Sequence, residues 1–205
     1  MYGIVLALTL GILGCSTNGQ AIGQKSGTST NPSTTSTSIR QTDDAGKSLP
    51  FTTAFPNRWS TNNDGTAFEP CTADAKAKRS ELGLNENTVK DAAIADFQTV
   101  RGCVWQFNNP RLASLSQHVG DFDGSLSRYK QTQSGGTMRF RPDTKIDNRI
   151  VAVYTVRDYQ CTTVVQSGES MILTTVMYVV DKPTIDEACD TAIDYTRATI
   201  SQIPE

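Results

Sequence analysis

Alternating apolar and polar residues predict most of the strands of this chain. Residues 101–107 place Cys103, Trp105 and Phe107 on one face, as expected of a half-buried strand. Residues 150–156 are almost entirely Val, Ile, Ala and Tyr, which indicates a central strand buried on both faces. The strands predicted from these patterns cover residues 101–107, 113–119, 138–140, 150–156, 161–165 and 171–180, with the last two forming a hairpin.

Apolar spacings of three and four residues predict three helices. The first begins after Thr72, which we expect to cap it, and ends at Gly83. The second covers residues 122–129. The last has a capping box, with Thr184 as the cap and Glu187 three residues later, and its apolar face runs toward Pro204. The resulting order of helices and strands predicts an α+β fold, in which helices partly cover an antiparallel sheet.

The N-terminus carries an apolar run, Ile4–Leu13, that ends at Gly14-Cys15. Its length is roughly half of the ~20 residues that a membrane-spanning helix needs, so it is typical of a signal peptide. The Gly-Cys ending resembles the lipobox of bacterial lipoproteins, in which the cysteine is acylated, with chains such as palmitate, and becomes the first mature residue. We therefore expect a signal peptide over residues 1–14 and lipidation of Cys15. The alternative is a plain secretory signal with Cys15 as an ordinary cysteine.

Composition changes sharply after Cys15. Between Ser16 and Ser38, twelve of twenty-three residues are Ser or Thr and only two are aliphatic. Such a segment cannot bury enough apolar surface to offset its ordering entropy. We interpret residues 15–48 as a disordered tether and residues 49–205 as one extracytoplasmic domain. The net charge of −2 and the scattered Lys and Arg residues argue against a nucleic-acid partner.

With Cys15 assigned to lipid, four of the five cysteines remain, an even number that indicates two disulfides outside the cytosol. Sequence alone allows three connectivities. We favour the local pairs Cys71–Cys103 and Cys161–Cys189, because each joins a predicted helix to a nearby strand. The cysteines lack the close spacing of zinc ligands, and we expect no metal and no cofactor.

Candidate chemistry is sparse. His118 is the only histidine, and Ser114 and Ser116 would share its strand face without converging on a substrate. We expect no catalytic residue here. Trp105 is expected to pack over a disulfide. Trp59 and Phe68 lie in a turn-rich stretch and are the candidates for contact with a partner, since exposed aromatic residues on loops often anchor one. On that interpretation, replacing Trp59 should leave the melting temperature nearly unchanged.

Three blocks of sequence stand out: Asn63–Thr72, Arg101-Gly102-Cys103-Val104-Trp105, and Glu187-Ala188-Cys189-Asp190 with the residues that run to Ile203-Pro204. Together they resemble a family of actinobacterial envelope lipoproteins of unknown function. The family pattern prefers Asp where this chain has Glu69. The resemblance covers about Trp59 to Pro204. It implies a lipid-anchored, disulfide-bonded domain outside the plasma membrane and brings no catalytic residues.

These patterns favour a protein anchored by lipid on the outer face of the cell membrane. We expect its domain to be a non-catalytic module that binds an envelope ligand or protein. The alternative is a hydrolase or transferase that acts on cell-wall material through carboxylates without a recognisable motif. Convergent carboxylates in a cleft would favour the enzyme, and an apolar or flat polar patch would favour the binding module.

Overall fold

The structure is a computed structural model that describes residues 38–109, 112–122, 124–178 and 184–205. This part of the chain forms one antiparallel sheet with three helices, which confirms the predicted α+β fold. The strands are β1 Leu84–Asp91, β2 Val100–Phe107, β3 Leu112–Asp121, β4 Arg139–Phe140, β5 Thr144–Ile146, β6 Arg149–Arg157, β7 Gln160–Ser167 and β8 Ser170–Tyr178. The helices are α1 Lys76–Glu81, α2 Leu126–Gln133 and α3 Ile185–Thr199.

Neighbouring strands lie in the order β1-β2-β3-β8-β7-β6-β4, with β5 also paired to β6. The predicted hairpin is β7 and β8, and Gly168 turns the chain between them with a φ of 56°. Strand β8, which lies between β3 and β7, occupies the centre of the sheet. Strand β6 is buried on both faces from Val151 to Thr155, as predicted, but it lies toward one end of the sheet rather than at its centre.

Helix α3 covers one face of the sheet, against β7 and β8. Its N-terminus has the predicted capping box, in which Thr184 and Glu187 exchange hydrogen bonds. Its buried side packs against the strands around Tyr195, whose ring centroid lies 5.9 Å from that of Trp105. Trp105 is 1% exposed, in the same cluster as all four disulfide cysteines, which confirms its predicted packing.

Helix α2 covers part of the opposite face. Leu126 and Tyr129 of α2 pack on Ala152, Val164 and Met171. The helix begins later than predicted, because the Ser125 side chain accepts a hydrogen bond from the backbone N–H of Arg128 and fixes the N-terminus there. Both faces of the β6–β8 region are therefore buried, which explains the continuous apolar sequence of β6.

Helix α1 is shorter than predicted and Thr72 does not cap it. Ala75 is at the cap position without a side-chain hydrogen bond. Thr72 instead ends a short 3₁₀ turn, Pro70–Thr72, and the Glu69 side chain caps that turn. The helix does end before Gly83, whose φ is 77°, as the sequence predicted.

The predicted disulfides are both present. Cys71, in the 3₁₀ turn, is bonded to Cys103 of β2, and Cys161 of β7 is bonded to Cys189 of α3. The compact unit that contains the sheet begins at Ser38 rather than Leu49. Gln41 accounts for part of this extension, because its side-chain amide exchanges two hydrogen bonds with the backbone of Thr53. The predicted signal peptide, Cys15 and most of the tether lie outside the described residues.

Candidate functional site

A buried ionic cluster lies beside the first disulfide. Arg58 is 1% exposed, Arg101 is 2% exposed, and Glu69 between them is 4% exposed. Glu69 Oε2 accepts hydrogen bonds from Arg58 Nη1 at 2.7 Å and from Arg101 Nη1 at 3.1 Å. Arg58 Nε also pairs with Asp91 Oδ2 at 2.9 Å. We call Arg58, Glu69, Asp91 and Arg101 the ionic cluster; its two positive and two negative charges balance.

Local structure brings these four residues together from distant parts of the chain. Glu69 caps the 3₁₀ turn by accepting a hydrogen bond from Cys71 N at 3.2 Å, so the carboxylate lies beside the disulfide. Arg101 is in β2, two residues before Cys103, and also donates to the carbonyl oxygens of Asn63, Thr66 and Phe68. The cluster therefore connects the first two sequence blocks that carry the family resemblance.

Burial and neighbouring charges act in opposite net directions on the pKa values of the two arginine side chains of the cluster. Burial alone would lower the pKa of Arg58, but the hydrogen bonds and charges of Glu69 and Asp91 outweigh it and raise that pKa. Burial, together with the nearby Arg58 charge, holds the pKa of Arg101 below its usual value despite Glu69. Both guanidinium groups stay protonated at any pH at which proteins fold. Both oxygens of Glu69 accept hydrogen bonds, so this carboxylate connects the 3₁₀ turn to Arg58 and Arg101.

Asp91 connects the ionic cluster to the loop between β1 and β2. Its carboxylate accepts hydrogen bonds from Arg58 and from the N–H of Ala93 at the start of that loop. Further along, the loop is bonded to residues 57–63: the Asn57 N–H donates to Asp96 Oδ1, and the Phe97 N–H donates to the Asn57 carbonyl. Side-chain amides complete the attachment, with Asn62 donating to the Phe97 carbonyl and Asn63 to the Gln98 carbonyl.

The tip of this loop exposes large apolar side chains. Ile94 is 80% exposed and Phe97 is 59% exposed, and Ala95 and Asp96 between them are also exposed. Phe97 has a φ of 55°, in the left-handed region that bulky residues rarely adopt. Such a conformation persists only where the surrounding structure imposes it, as the hydrogen bonds to Asn57 and Asn62 do here. We call Ile94–Phe97 the apolar loop.

Neither of the two aromatic residues predicted to contact a partner, Trp59 and Phe68, is fully exposed. Phe68 is 5% exposed and belongs to the core beneath α3, so its expected role at a contact surface is corrected. Trp59 is half-buried, and its ring lies between two guanidinium groups, with Arg40 Cζ 4.2 Å and Arg58 Cζ 4.5 Å from the ring centroid. Ile94 and Phe97, two of the exposed apolar residues, belong instead to the apolar loop, which is bonded to the segment next to Trp59.

Sequence reasoning missed the apolar loop because Ile94-Ala95-Asp96-Phe97 has neither strand nor helix periodicity. Apolar residues outside a periodic pattern are equally consistent with a buried connection. Their exposure follows from the way in which residues 57–63 hold the loop, and that contact is not local in sequence. The one available signal was the position of two large apolar residues between two predicted elements.

His118 lies in β3, opposite Gly102 and Leu173 of the flanking strands. Its neighbour Gln117 donates to Thr199 of α3, so His118 points to the other face of the sheet. It is half-buried, and desolvation lowers its pKa to about 4, which keeps the imidazole neutral near pH 7. The His118 side chain forms no hydrogen bond with another residue that the structure describes, and Ser114 and Ser116 lie along the strand without converging on it.

Surface hollows also lie along β6, one beside its first residues and another beside Val153 in its middle. The first has a volume of about 380 Å³ and a mixed lining, in which Leu126, Ile150 and Val165 lie among polar side chains such as Arg149. The second, of about 300 Å³, reaches Cys189, whose Sγ accepts a hydrogen bond from Arg141 at 3.2 Å. Among the residues that the structure describes, no three His, Cys, Asp or Glu side chains group as a metal site, and no helix could span a membrane.

Comparison with known proteins places the chain in a family. Neither the search of curated proteins nor that of solved structures finds a match. The profile of the family described as "Protein of unknown function (DUF3558)" matches residues 10–202, which include the ionic cluster, both disulfides and the apolar loop. Since this match covers nearly the whole chain, the protein belongs to the DUF3558 family.

Proposed function

We propose that this protein is a lipid-anchored component of the cell envelope whose folded domain is a non-catalytic binding module. Two features support the anchor: the apolar run that ends at Gly14-Cys15, and the Ser/Thr-rich segment that follows it. The two disulfides support a location outside the cytosol, because such bonds persist in oxidising compartments. Anchoring through Cys15 would hold the domain near the outer face of the membrane.

The apolar loop is the observation that carries the binding proposal. Ile94 and Phe97 expose large apolar side chains on a loop that is held by hydrogen bonds and an ion pair. Burying such groups against a partner is favourable, and a loop that is already ordered loses little entropy on binding. An exposed Phe with φ of 55° also costs stability without improving the core, which is typical of residues kept for contact.

The alternative, a wall-acting hydrolase, would need a carboxylate that is free to exchange protons with a substrate. The most buried carboxylate of the described chain, Glu69, has both oxygens engaged by Arg58, Arg101 and Cys71 N. Asp91 is likewise paired with Arg58. Purified protein that hydrolyses peptidoglycan, and loses that activity on mutation of a single carboxylate, would establish the enzyme and overturn the binding module.

The anchor is tested by replacing Cys15 with Ser and separating membranes from soluble fractions. We expect the variant to leave the membrane fraction and the wild-type protein to carry lipid at Cys15 by mass spectrometry. Retention of the variant in membranes, with no lipid on the wild-type cysteine, would refute the anchor and leave the binding proposal standing.

Binding is tested by placing a photo-crosslinking amino acid at Ile94 in intact cells. We expect a discrete crosslinked product that disappears when Phe97 is replaced by Asn. The matched control is the same crosslinker at Ile150, which is 59% exposed, as Phe97 is, and lies in β6. Equal products from both positions, or none from position 94, would show that the apolar loop is not the contact surface.

A further inference from the structure

The exposed charges within the apolar loop and the segment bonded to it are carboxylates. Residues 54–65 and 91–99 form this surface, and they contain a single basic residue, Arg58, which is buried and paired with Glu69 and Asp91. The exposed carboxylates in these two segments are Asp64 and Asp96. Two cations lie next to these segments: the exposed Lys90, at the end of β1, and Arg40, which is paired with Asp44. Within the segments themselves, the apolar tip has an acidic border.

Both carboxylates are held beside the apolar side chains by the fold. Asp96 lies between Ile94 and Phe97 in the chain, and its Oδ1 accepts the Asn57 N–H at 2.6 Å. Asp64 follows Asn63, whose amide donates to the Gln98 carbonyl at 2.8 Å, next to Phe97. A partner that buries Phe97 must therefore approach these two charges closely, and groups of opposite charge on the partner would lower the cost of doing so.

This charge pattern discriminates between partners. An anionic membrane surface would repel Asp64 and Asp96, and insertion of the loop into lipid would require Asp96 to lose its water. A protein surface can instead offer an apolar pocket together with fixed cations at its edge, the arrangement that gives interfaces their specificity. The observations thus favour a protein with basic residues around an apolar cleft.

We propose that the apolar loop docks into a partner protein whose apolar cleft is bordered by Lys or Arg side chains. This inference rests on the proposed function, since it names the partner of the same surface. Ile94 and Phe97 enter the cleft, and Asp64 and Asp96 face its basic border. The left-handed backbone at Phe97 sets the direction in which the ring projects, so the docking geometry exists before the partner arrives.

The protein that crosslinks to position 94 in cells is first identified by mass spectrometry and purified. Its binding to the full chain is then measured. Affinity and association rate are measured over a range of salt concentrations for the wild type, Ile94→Ser, Phe97→Asn, and the double variant Asp64→Asn/Asp96→Asn. The control is Ile150→Ser. Vesicles of phosphatidylcholine, with and without phosphatidylglycerol, serve as the lipid probe.

We expect Phe97→Asn to weaken binding by about 30-fold or more, the size of an interface hot spot, while Ile150→Ser changes it less than about twofold. Because Asn accepts a left-handed backbone, the melting temperature of Phe97→Asn should not fall. The double Asp variant should associate about 10-fold more slowly at low salt and lose most of the salt dependence, since charge acts mainly on association.

Other outcomes would distinguish failure of this inference from failure of the proposed binding module. If position 94 crosslinks to a protein but the double Asp variant binds equally well or more tightly, the basic border is wrong and the binding module stands. If the crosslinked material is lipid, or if Phe97→Asn abolishes binding to vesicles, the partner is a membrane and this inference is overturned. If neither Ile94→Ser nor Phe97→Asn alters any crosslink, the proposed contact surface itself fails.

Discussion

Replacing Glu69 with Ala should destabilise the domain severely, because it leaves two buried guanidinium groups without their shared carboxylate. Glu69 accepts four hydrogen bonds, two from Arg58, one from Arg101 and one from the N–H of Cys71. Removing one partner of a buried ion pair typically costs about 3–5 kcal/mol. That is a large part of the roughly 5–15 kcal/mol by which a domain is stable. At about 2–4 °C per kcal/mol for a domain of this size, the melting temperature should fall by about 10 °C.

Urea unfolding of the oxidised protein, followed by tryptophan fluorescence, measures this loss. Glu69→Gln should fall between Ala and wild type, since it keeps hydrogen-bond acceptors but not the charge. The matched control is Asp158→Ala, which removes an exposed partner of Arg139 and should cost less than about 1 kcal/mol. If Glu69→Ala costs no more than Asp158→Ala, the ionic cluster does not hold the fold together. The inference that the cluster supports the apolar loop is then refuted as well.

Three further predictions follow from the packing. Trp59→Ala should cost about 2–4 kcal/mol in unfolding free energy, because the ring packs on the core between two guanidinium groups. This differs from the expectation from sequence, and an unchanged melting temperature would contradict it. Gly102→Ala should cost about 3 kcal/mol or more, since its Cβ would lie 2.2 Å from the Gln117 carbonyl oxygen. The control is Gly135→Ala, whose Cβ would point into open space. Lowering the pH from 6.5 toward 4 should reduce stability by at most about 3 kcal/mol through His118, because the unfolded imidazole binds a proton that the folded one does not; His118→Gln should flatten that dependence.

The elements that could be predicted from sequence are those with a strong local pattern. Helix α3 has a capping box and a continuous buried side, and the β7–β8 hairpin has β-branched strands on either side of a Gly-containing turn. Strand β1 was missed because only Leu84 of its eight residues is buried and a register shift interrupts its pairing with β2. Strand β5 has three residues, too few to show alternation.

The ionic cluster could not be predicted, because nothing local connects its members. Arg58 and Arg101 are more than forty positions apart in the sequence, and single charged residues are ordinarily solvated. The contacts of Glu69 also explain why Thr72 was wrongly expected to cap a helix: the carboxylate caps a 3₁₀ turn first, and α1 begins only at Lys76. A disulfide next to a buried carboxylate is a tertiary arrangement that neither composition nor spacing indicates.

The presence of this cluster is itself informative, because a buried ion network is not an efficient source of stability. Well-packed apolar residues of similar volume often stabilise a domain as well or better. The charged residues instead fix the position of residues 57–63 relative to β1. Arg58 can reach Asp91 only when that segment and the end of β1 lie in one arrangement. That arrangement brings Asn57 and Asn62 within hydrogen-bond distance of Phe97, whose left-handed backbone requires such support. The ionic cluster therefore determines where the apolar loop projects, and we propose that this positioning is the reason for its burial beside the Cys71–Cys103 disulfide.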